Sequence, residues 1–273
     1  MSKALWPAVS GAMARDQQVE VISNNLANVN TNGFKKDGVE FKEYLSKNEK
    51  MNDLAEDIPR MPIRDKDLYP LDGRDQSFVV VKGTHTSFKT GGMKVTDNPL
   101  DLALNGPGFF EVSTPGGVRY TRAGEFKVSP EGRLVTNEGN PVLSAGTGGE
   151  NGGDVGGRFI SLAGREGNVH INDSGEIYMN DELVAKLSVV EFQDMKGVRK
   201  AGSLNFENKN PQNAPISAQN TAIKQGMIET SNVNPVEEMA NLIRANRMFE
   251  EDLKAMKTVN EMLQKEANEI GKM

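Results

Sequence analysis

The chain has 273 residues, of which 37% are hydrophobic and 6% aromatic, so it can form a core but is low in apolar content for a compact enzyme. It has no cysteine, which excludes disulfides, thiolate zinc sites, iron–sulfur clusters and cysteine nucleophiles. A net charge of −6 argues against nucleic acid as the main partner, and no apolar run reaches the roughly 20 residues of a membrane-spanning helix.

The N-terminal segment predicts a helix with a narrow apolar face. It lacks the apolar run and small-residue cleavage site of a secretory signal, so we expect no cleavable signal peptide. Apolar side chains recur at seven-residue spacing, as in helices that pack against other helices: Leu5, Ala12, Val19 and Leu26, with Ala8, Ile22 and Val29 beside them. Gly33 and the asparagines before it allow a left-handed cap, so the helix should end near residues 30–33.

The middle of the chain predicts β structure. Residues 46–76 are polar, charged and interrupted by prolines, which indicates a connector. Residues 77–204 contain short apolar runs separated by turn-forming clusters, which predicts an antiparallel β-rich domain. The expected strands are 78–81, 100–104, 109–112, 119–121, 125–128, 133–135, 169–171, 176–179 and 185–192. Residues 205–220, rich in Asn, Gln and Pro, predict an extended return connector.

The C-terminal segment, 221–273, predicts a second and longer helix. Asn234 is a good N-cap, Pro235 suits the first helical position, and Glu237 and Glu238 favour the positive end of the helix dipole. The helix should run for about 35 residues, or about 50 Å. Its seven-residue series is Leu242, Phe249, Met256, Leu263 and Ile270, flanked by Met239, Leu253 and Ala267.

Together these patterns predict an α+β chain. The two terminal helices, carried by residues 1–45 and 221–273, are expected to pair in a coiled-coil domain, with the β-rich domain inserted between them. The simplest use of two such helices is to pair with each other and with those of further copies.

No residue pattern supports catalysis, a cofactor or a metal. The glycine-rich run 146–153 lacks the Lys-Ser/Thr ending of a phosphate loop and is better explained as a surface loop. Residues 172–176 resemble a calcium loop only loosely, and a hairpin turn explains them better. His85 and His170 are expected to be ordinary strand or loop residues, outside any metal-spacing motif. We therefore predict no catalytic residues, no cofactor and no metal site, and a protein that is not an enzyme.

Three blocks of sequence resemble one family, the flagellar rod and hook proteins. The N-terminal block is Ala4-Leu5-Trp6 and Ser10-Gly11, followed by Ser23-Asn24-Asn25-Leu26-Ala27-Asn28 continuing to Gly33-Phe34-Lys35. The central block combines residues 98–110, 120–124 and 132–136. The C-terminal block begins Glu229-Thr230-Ser231-Asn232 and continues through residues 235–250. These blocks occur in the family's order.

The resemblance implies a structural subunit of the flagellar basal-body rod, exported without a cleavable signal and assembled into a periplasmic shaft that transmits torque. It implies as partners copies of this chain, other rod proteins, and the flagellar type III export apparatus during secretion. Membrane-ring and surrounding ring proteins are further candidates, whereas nucleic acid and membrane insertion are not expected. We expect the proximal rod type, with the distal rod type as the alternative. A β-rich binding module with oligomerising helical ends is the alternative from another class.

The expected subunit interface lies on the two terminal helices. Asn24, Asn25 and Asn28 leave two alternatives open, since their amides could bond across subunits or be solvated. The expected interface residues are Leu5, Val19, Ile22, Leu26, Asn24, Asn25, Asn28, Met239, Leu242, Phe249, Leu253, Met256 and Leu263.

Overall fold

A computed structural model describes residues 5–46, 76–146, 155–163, 167–202 and 204–270. Nearly all of the connector predicted at 46–76, and most of the glycine-rich run at 146–153, lie outside these ranges. The chain forms two compact units. The terminal unit contains residues 1–23, 39–84 and 239–273, and the body unit contains residues 24–38 and 85–238.

Both terminal helices form. Helix α1 spans Leu5–Ala27, and turns then lead to Gly33, whose φ is +73°. The helix thus ends a few residues before the predicted 30–33. Helix α2 spans Pro235–Ile270 and has 36 residues. Its predicted start is confirmed, because the Asn234 side-chain oxygen accepts hydrogen bonds from the amides of Val236 and Glu237 at 3.1 and 3.4 Å.

The part of the chain between the helices is rich in β structure. Short 3₁₀ helices occur at Val155–Arg158 and Met195–Gly197. The strands are β1 Asp37–Ser46, β2 Gln76–Thr86, β3 Met93–Val95, β4 Leu102–Asn105, β5 Phe109–Thr114, β6 Gly117–Thr121, β7 Phe126–Val128, β8 Leu134–Thr136, β9 Val169–Ile171, β10 Glu176–Met179, β11 Glu182–Lys186, β12 Val189–Glu191, β13 Val198–Lys200, β14 Asn205–Asn208, β15 Ile216–Ser217, β16 Ala222–Gln225 and β17 Met227–Glu229.

The largest sheet has six strands in the order β13-β14-β6-β5-β12-β15, and its neighbouring strands are antiparallel. A three-stranded sheet has the order β11-β10-β9, and the predicted turn at residues 172–175 joins β9 to β10. The remaining pairs are β1-β2, β16-β4, β17-β3 and β7-β8. Two pairs join the C-terminal part of the body to its beginning, since β16 binds β4 and β17 binds β3.

The prediction of a single strand at 185–192 is wrong. Two strands, β11 and β12, occupy this region and belong to different sheets. Between them the amide of Leu187 binds Gly175, and the amide of Ser188 binds Leu143. The backbone thus changes partners over two residues, which an apolar run cannot reveal.

The body unit has two cores of buried side chains. The larger core contains Leu102, Leu104, Phe110, Val112, Phe126, Leu134, Val142, Ile160, Leu162, Ile171, Ile177, Met179, Leu187 and Ile223. The smaller core is mostly aromatic and contains Phe109, Tyr120, Val190, Phe192, Val198 and Phe206. Edge-to-face ring contacts, such as Phe109–Phe206 at 5.6 Å between centroids, organise the smaller core.

Helix α2 has one shielded face and one exposed face. Buried and half-buried side chains recur three or four residues apart, as Leu242, Ala245, Phe249, Asp252, Met256 and Val259. Within the terminal unit, Gly11 of α1 lies so close to Asp252 that a Cβ there would be 3.3 Å from its carboxylate. The contacts of the described residues do not establish pairing along a coiled-coil seam, so that pairing stays a prediction. No helix among the described residues is long and apolar enough to cross a membrane.

Candidate functional site

Three charged side chains meet in the interior of the body unit. Lys35 lies after α1, Arg122 follows β6, and Glu229 ends β17. The Lys35 ammonium is 2.6 Å from one Glu229 oxygen, and the Arg122 guanidinium is 3.4 Å from the other. The side chains of all three are no more than 1% exposed. We call Lys35, Arg122 and Glu229 the ionic cluster.

The ionic cluster holds two cations against one carboxylate. Burial lowers the pKa of Lys35, and attraction to Glu229 opposes that shift. Burial also lowers the pKa of Arg122, again opposed by Glu229. Arg122 additionally donates to the Gly106 carbonyl at 2.7 Å and lies 5.0 Å from the centre of the Phe109 ring. Each charge is thus tolerated because several groups replace its water.

The same carboxylate organises backbone around it. The Gly91 amide donates to the Glu229 side chain at 2.8 Å, and the Gly33 amide donates to the Glu229 carbonyl at 2.7 Å. The Lys35 ammonium donates to the Lys89 carbonyl at 2.8 Å. Asn232 accepts from the Lys36 amide at 2.7 Å. Segments around residues 33–36, 87–92 and 229–232 are therefore joined by side chains as well as by backbone.

A second polar group joins the end of α1 to the start of α2 within the body unit. Asn25 is 1% exposed; it donates to the Asp37 carbonyl at 2.8 Å and to Glu238 at 3.3 Å, and accepts from the Asp37 amide at 3.0 Å. Lys36 lies 2.5 Å from Glu238. Lys200 lies 2.7 Å from Asp37, and its ammonium is 3.8 Å from the centre of the Phe34 ring. Burial lowers the pKa of Lys200, and its hydrogen bond to Asp37 opposes this.

The residues predicted for the subunit interface fall in different environments. In α1, Ile22 and Asn25 are buried, Val19 and Leu26 are half-buried, and Asn24 is exposed. Asn28 lies in the turn after α1, where it donates to the Asn24 carbonyl at 2.9 Å. In α2, Leu242, Phe249 and Met256 are half-buried, whereas Met239 and Leu253 are 51% and 43% exposed. The side chains of Leu5 and Leu263 lie outside the described residues.

One side of α2 carries exposed apolar side chains. Val236, Met239 and Ile243 are 74%, 51% and 54% exposed and lie three and four residues apart, which places them on one face. Leu253, Met248 and Met262 are also exposed, at 43%, 44% and 60%, but they lie at other angles around the helix. We call Val236, Met239 and Ile243 the apolar stripe. Exposed apolar surface of this kind is typical of a binding surface.

Two clefts among the described residues of the body unit offer little for a small ligand. One cleft of about 620 Å³ is lined mainly by hydroxyl, amide and small side chains between residues 173–174, 186–189 and 217–223. A second, of about 590 Å³, lies beside the β7–β8 hairpin. Neither lining includes an aromatic side chain. Within the described ranges no group of His, Asp and Glu residues is placed to hold a metal ion.

Comparison with known proteins finds one family along the whole chain. The family description "Flagella basal body rod protein" matches residues 7–35, "Flagellar hook protein FlgE/F/G D1 domain" matches 103–179, and "Flagellar basal body rod FlgEFG protein C-terminal" matches 224–270. The chain is 33% identical over 274 residues to the flagellar basal-body rod protein FlgF of Caulobacter vibrioides, and the match covers 100% of both chains. It belongs to the flagellar basal-body rod protein family.

Relatives in this rod-protein family carry two names at similar identity. FlgG of Buchnera aphidicola subsp. Schizaphis graminum is 31% identical, with 97% of this chain and 98% of the relative covered. FlgF of Mesorhizobium japonicum is 30% identical, with 92% and 90% covered. The family expected from the residues is confirmed. Identity near 30% to both types does not separate FlgF from FlgG.

The rod-protein blocks in the sequence include all three members of the ionic cluster. Lys35 lies in the match to residues 7–35, Arg122 in that to 103–179 and Glu229 in that to 224–270. In the sequence these residues are parts of family motifs, and no pattern there predicts that they pair. The only signal in the sequence is a Lys directly after an apolar Gly-Phe pair, and an Arg and a Glu beside apolar strands.

Proposed function

We propose that this chain is a structural subunit of the proximal flagellar rod, which polymerises through its terminal helices into a shaft that transmits torque. Its partners are then copies of itself and other rod proteins, with the type III export apparatus acting during secretion. Ring proteins around the rod are further candidates. The distal rod is the alternative within the family.

The observation that carries this proposal is the apolar stripe of α2. Val236, Met239 and Ile243 are more than half exposed in the isolated chain, although their burial would be favourable by about 25 cal/mol per Å² of apolar surface. An apolar face that the described residues of its own subunit leave exposed suits heterologous contacts, and such contacts build open filaments rather than closed rings.

The shielded face of α2 supports the same proposal. Leu242, Phe249 and Met256 are only half-buried, so packing within one subunit leaves part of each side chain free. Methionine is unbranched and adapts its shape, which suits contacts with neighbours that are not identical. We therefore place the subunit contacts on both helices, at the interface residues named from the sequence, with Asn25 bonded instead within its own chain.

The proximal assignment rests on the sequence. Asn234-Pro235 and Phe249-Glu250 favour the proximal type, while Ala4-Leu5-Trp6, Asn30-Thr31 and Arg122-Ala123-Gly124 favour the distal type. Immunogold electron microscopy of isolated basal bodies, with antibody against the body unit, decides between them. Label on the lower rod near the membrane ring supports the proximal rod, and label beneath the hook supports the distal rod.

Polymerisation through α2 is tested by Phe249→Asp in a strain that lacks the wild-type gene. A charge at this half-buried position would be desolvated in the subunit contact, so it should abolish incorporation into rods and motility. The body unit should stay folded, because Phe249 is not part of either body core. Thr258→Asp, which adds the same charge at an exposed position of the same helix, is the control. Normal motility of Phe249→Asp would refute a role of the shielded face of α2 in polymerisation.

The binding-module alternative has less support. A glycan-binding module usually offers aromatic side chains in its cleft, and the linings of the 620 Å³ and 590 Å³ clefts contain none. Absence of immunogold label from intact, antibody-accessible rods would favour this alternative again.

A further inference from the structure

One carboxylate holds three distant parts of the chain together. Glu229 pairs with Lys35, 194 residues earlier, and with Arg122, 107 residues earlier. It also accepts from the Gly91 amide, 138 residues earlier. Because all of these contacts converge on one side chain, none of them can form before residue 229 is in place.

The segments that converge on Glu229 are short and depend on one another. Lys36 accepts from the Ser87 amide at 2.8 Å, and the Thr230 amide donates to the Gly92 carbonyl at 2.7 Å. The Asn232 amide group donates to the carbonyls of Ser87 and Lys89 at 2.8 and 3.0 Å. Loss of any one segment therefore removes hydrogen-bond partners from the other two.

The charge balance makes Glu229 different from its partners. Removing Lys35 leaves Arg122 paired with Glu229, and removing Arg122 leaves Lys35 paired. Removing the carboxylate leaves two buried cations without a counter-ion, which is far more costly than losing one member of a satisfied pair.

We propose that Glu229 is a closing lock of the body unit: its carboxylate fastens residues 33–36, 87–92 and 229–232 into one cooperative element, which closes last and opens as a whole. The rest of the body, including the larger core, stays folded when the lock opens. Resting on the proposed function, we expect the same order of events in the rod subunit. The end of α1 and the start of α2 stay unfixed until Glu229 reaches its partners, and the closed lock then holds them together.

The test is native-state hydrogen exchange on the full-length subunit in dilute solution. In the wild type, the amides of Gly33, Gly91 and Thr230 should share one opening constant, larger than that of Val142, whose amide bonds to Leu134 in the larger core. Separate opening constants for these three amides would overturn the lock, and so would an opening constant equal to that of Val142.

Glu229→Gln removes the charge and keeps the shape. Exchange of the amides of Gly33, Gly91 and Thr230 should accelerate together by about a hundredfold or more, because breaking a buried pair leaves uncompensated charge. Val142 should keep its protection. Lys35→Met should accelerate the same amides much less, since the Arg122–Glu229 pair remains. Equal acceleration in both variants would overturn the special role of the carboxylate.

Glu207→Gln is the matched control, since Glu207 also pairs with an arginine, Arg119, but at a partly exposed site. It should leave exchange of the three amides unchanged. If Glu229→Gln yields no folded protein, the wild-type opening constants and Lys35→Met decide the question. These measurements need no rod, so a failed lock leaves the immunogold result standing, and label absent from the rod leaves the lock standing.

Discussion

The body unit and the terminal unit differ in how they use apolar side chains. In the body, Phe109, Phe110 and Leu102 are completely buried, and two cores together bury 20 side chains. In α2, Met239, Ile243 and Leu253 are between 43% and 54% exposed. The body thus builds two buried cores within one chain, whereas α2 leaves part of its apolar surface for burial elsewhere.

The largest difference in stability is expected between two Phe→Ala substitutions, one in each unit. Phe110→Ala removes a fully buried ring that packs 5.1 Å from Phe126, and should lower the free energy of unfolding by about 3–5 kcal/mol. Phe249→Ala removes a half-buried ring and should cost about 1 kcal/mol in the isolated subunit. Urea denaturation followed by circular dichroism measures both, and equal losses would contradict the comparison.

Gly33 tests how tightly the end of the N-terminal segment fits the body. Its φ is +73°, and a Cβ there would lie 2.5 Å from the Ala123 amide nitrogen. Gly33→Ala should therefore lower stability by about 2–3 kcal/mol. In Gly139→Ala, φ is +86° but a Cβ would meet nothing within 4 Å, so that variant should cost about 1 kcal/mol from backbone strain alone. Equal effects in thermal unfolding would show that the close approach is relaxed in solution.

A smaller effect is expected at the start of α2. Asn234→Ala removes the acceptor for the amides of Val236 and Glu237 and should destabilise the first turn by about 1 kcal/mol. Asn234→Ser, which keeps a capping oxygen, should restore most of this loss. Hydrogen exchange of the first-turn amides measures it, and unchanged protection in Asn234→Ala would mean that the body alone fixes the helix start.

The smallest effect concerns Tyr120 in the aromatic core, and it emerges only in base. Burial, followed by the nearby Glu111 charge, raises the pKa of Tyr120 to about 12 from 10.0. The neutral phenol is therefore favoured by folding, so its contribution to stability is complete below pH about 10 and is lost as pH rises toward about 12. The free energy of unfolding of Tyr120→Phe should therefore fall less steeply with pH over that range. An ordinary titration midpoint of Tyr120 by ultraviolet absorbance would contradict this.

Local patterns predicted the parts of the fold that depend on local chemistry. The Asn234-Pro235 cap and the turn at residues 172–175 were found because their signals lie within four residues. Strands β16 and β17 were missed because they are short, and their partners, β4 and β3, lie more than a hundred residues away. Periodicity cannot report such distant pairing.

The site was harder to predict than the fold. Composition treats Lys35 and Glu229 as solvated charges, because lysine and glutamate are rarely buried without a partner. Their burial depends on contact across 194 residues, which no spacing within the sequence expresses. In α2 the seven-residue series of Leu242, Phe249 and Met256 was visible, but Asp252 on the shielded face has no signal in apolar periodicity.

The exposed side of α2 also makes the subunit sensitive to oxidants. The chain has 13 methionines and no cysteine, so methionine carries all of its oxidisable sulfur. Met239, Met248 and Met262 are 51%, 44% and 60% exposed, and so is Met13 of α1, at 67%. Oxidation converts each thioether into a polar sulfoxide. A free subunit thus bears reactive sulfur on both helices, and at Met239 burial of the apolar stripe against a neighbour would protect it.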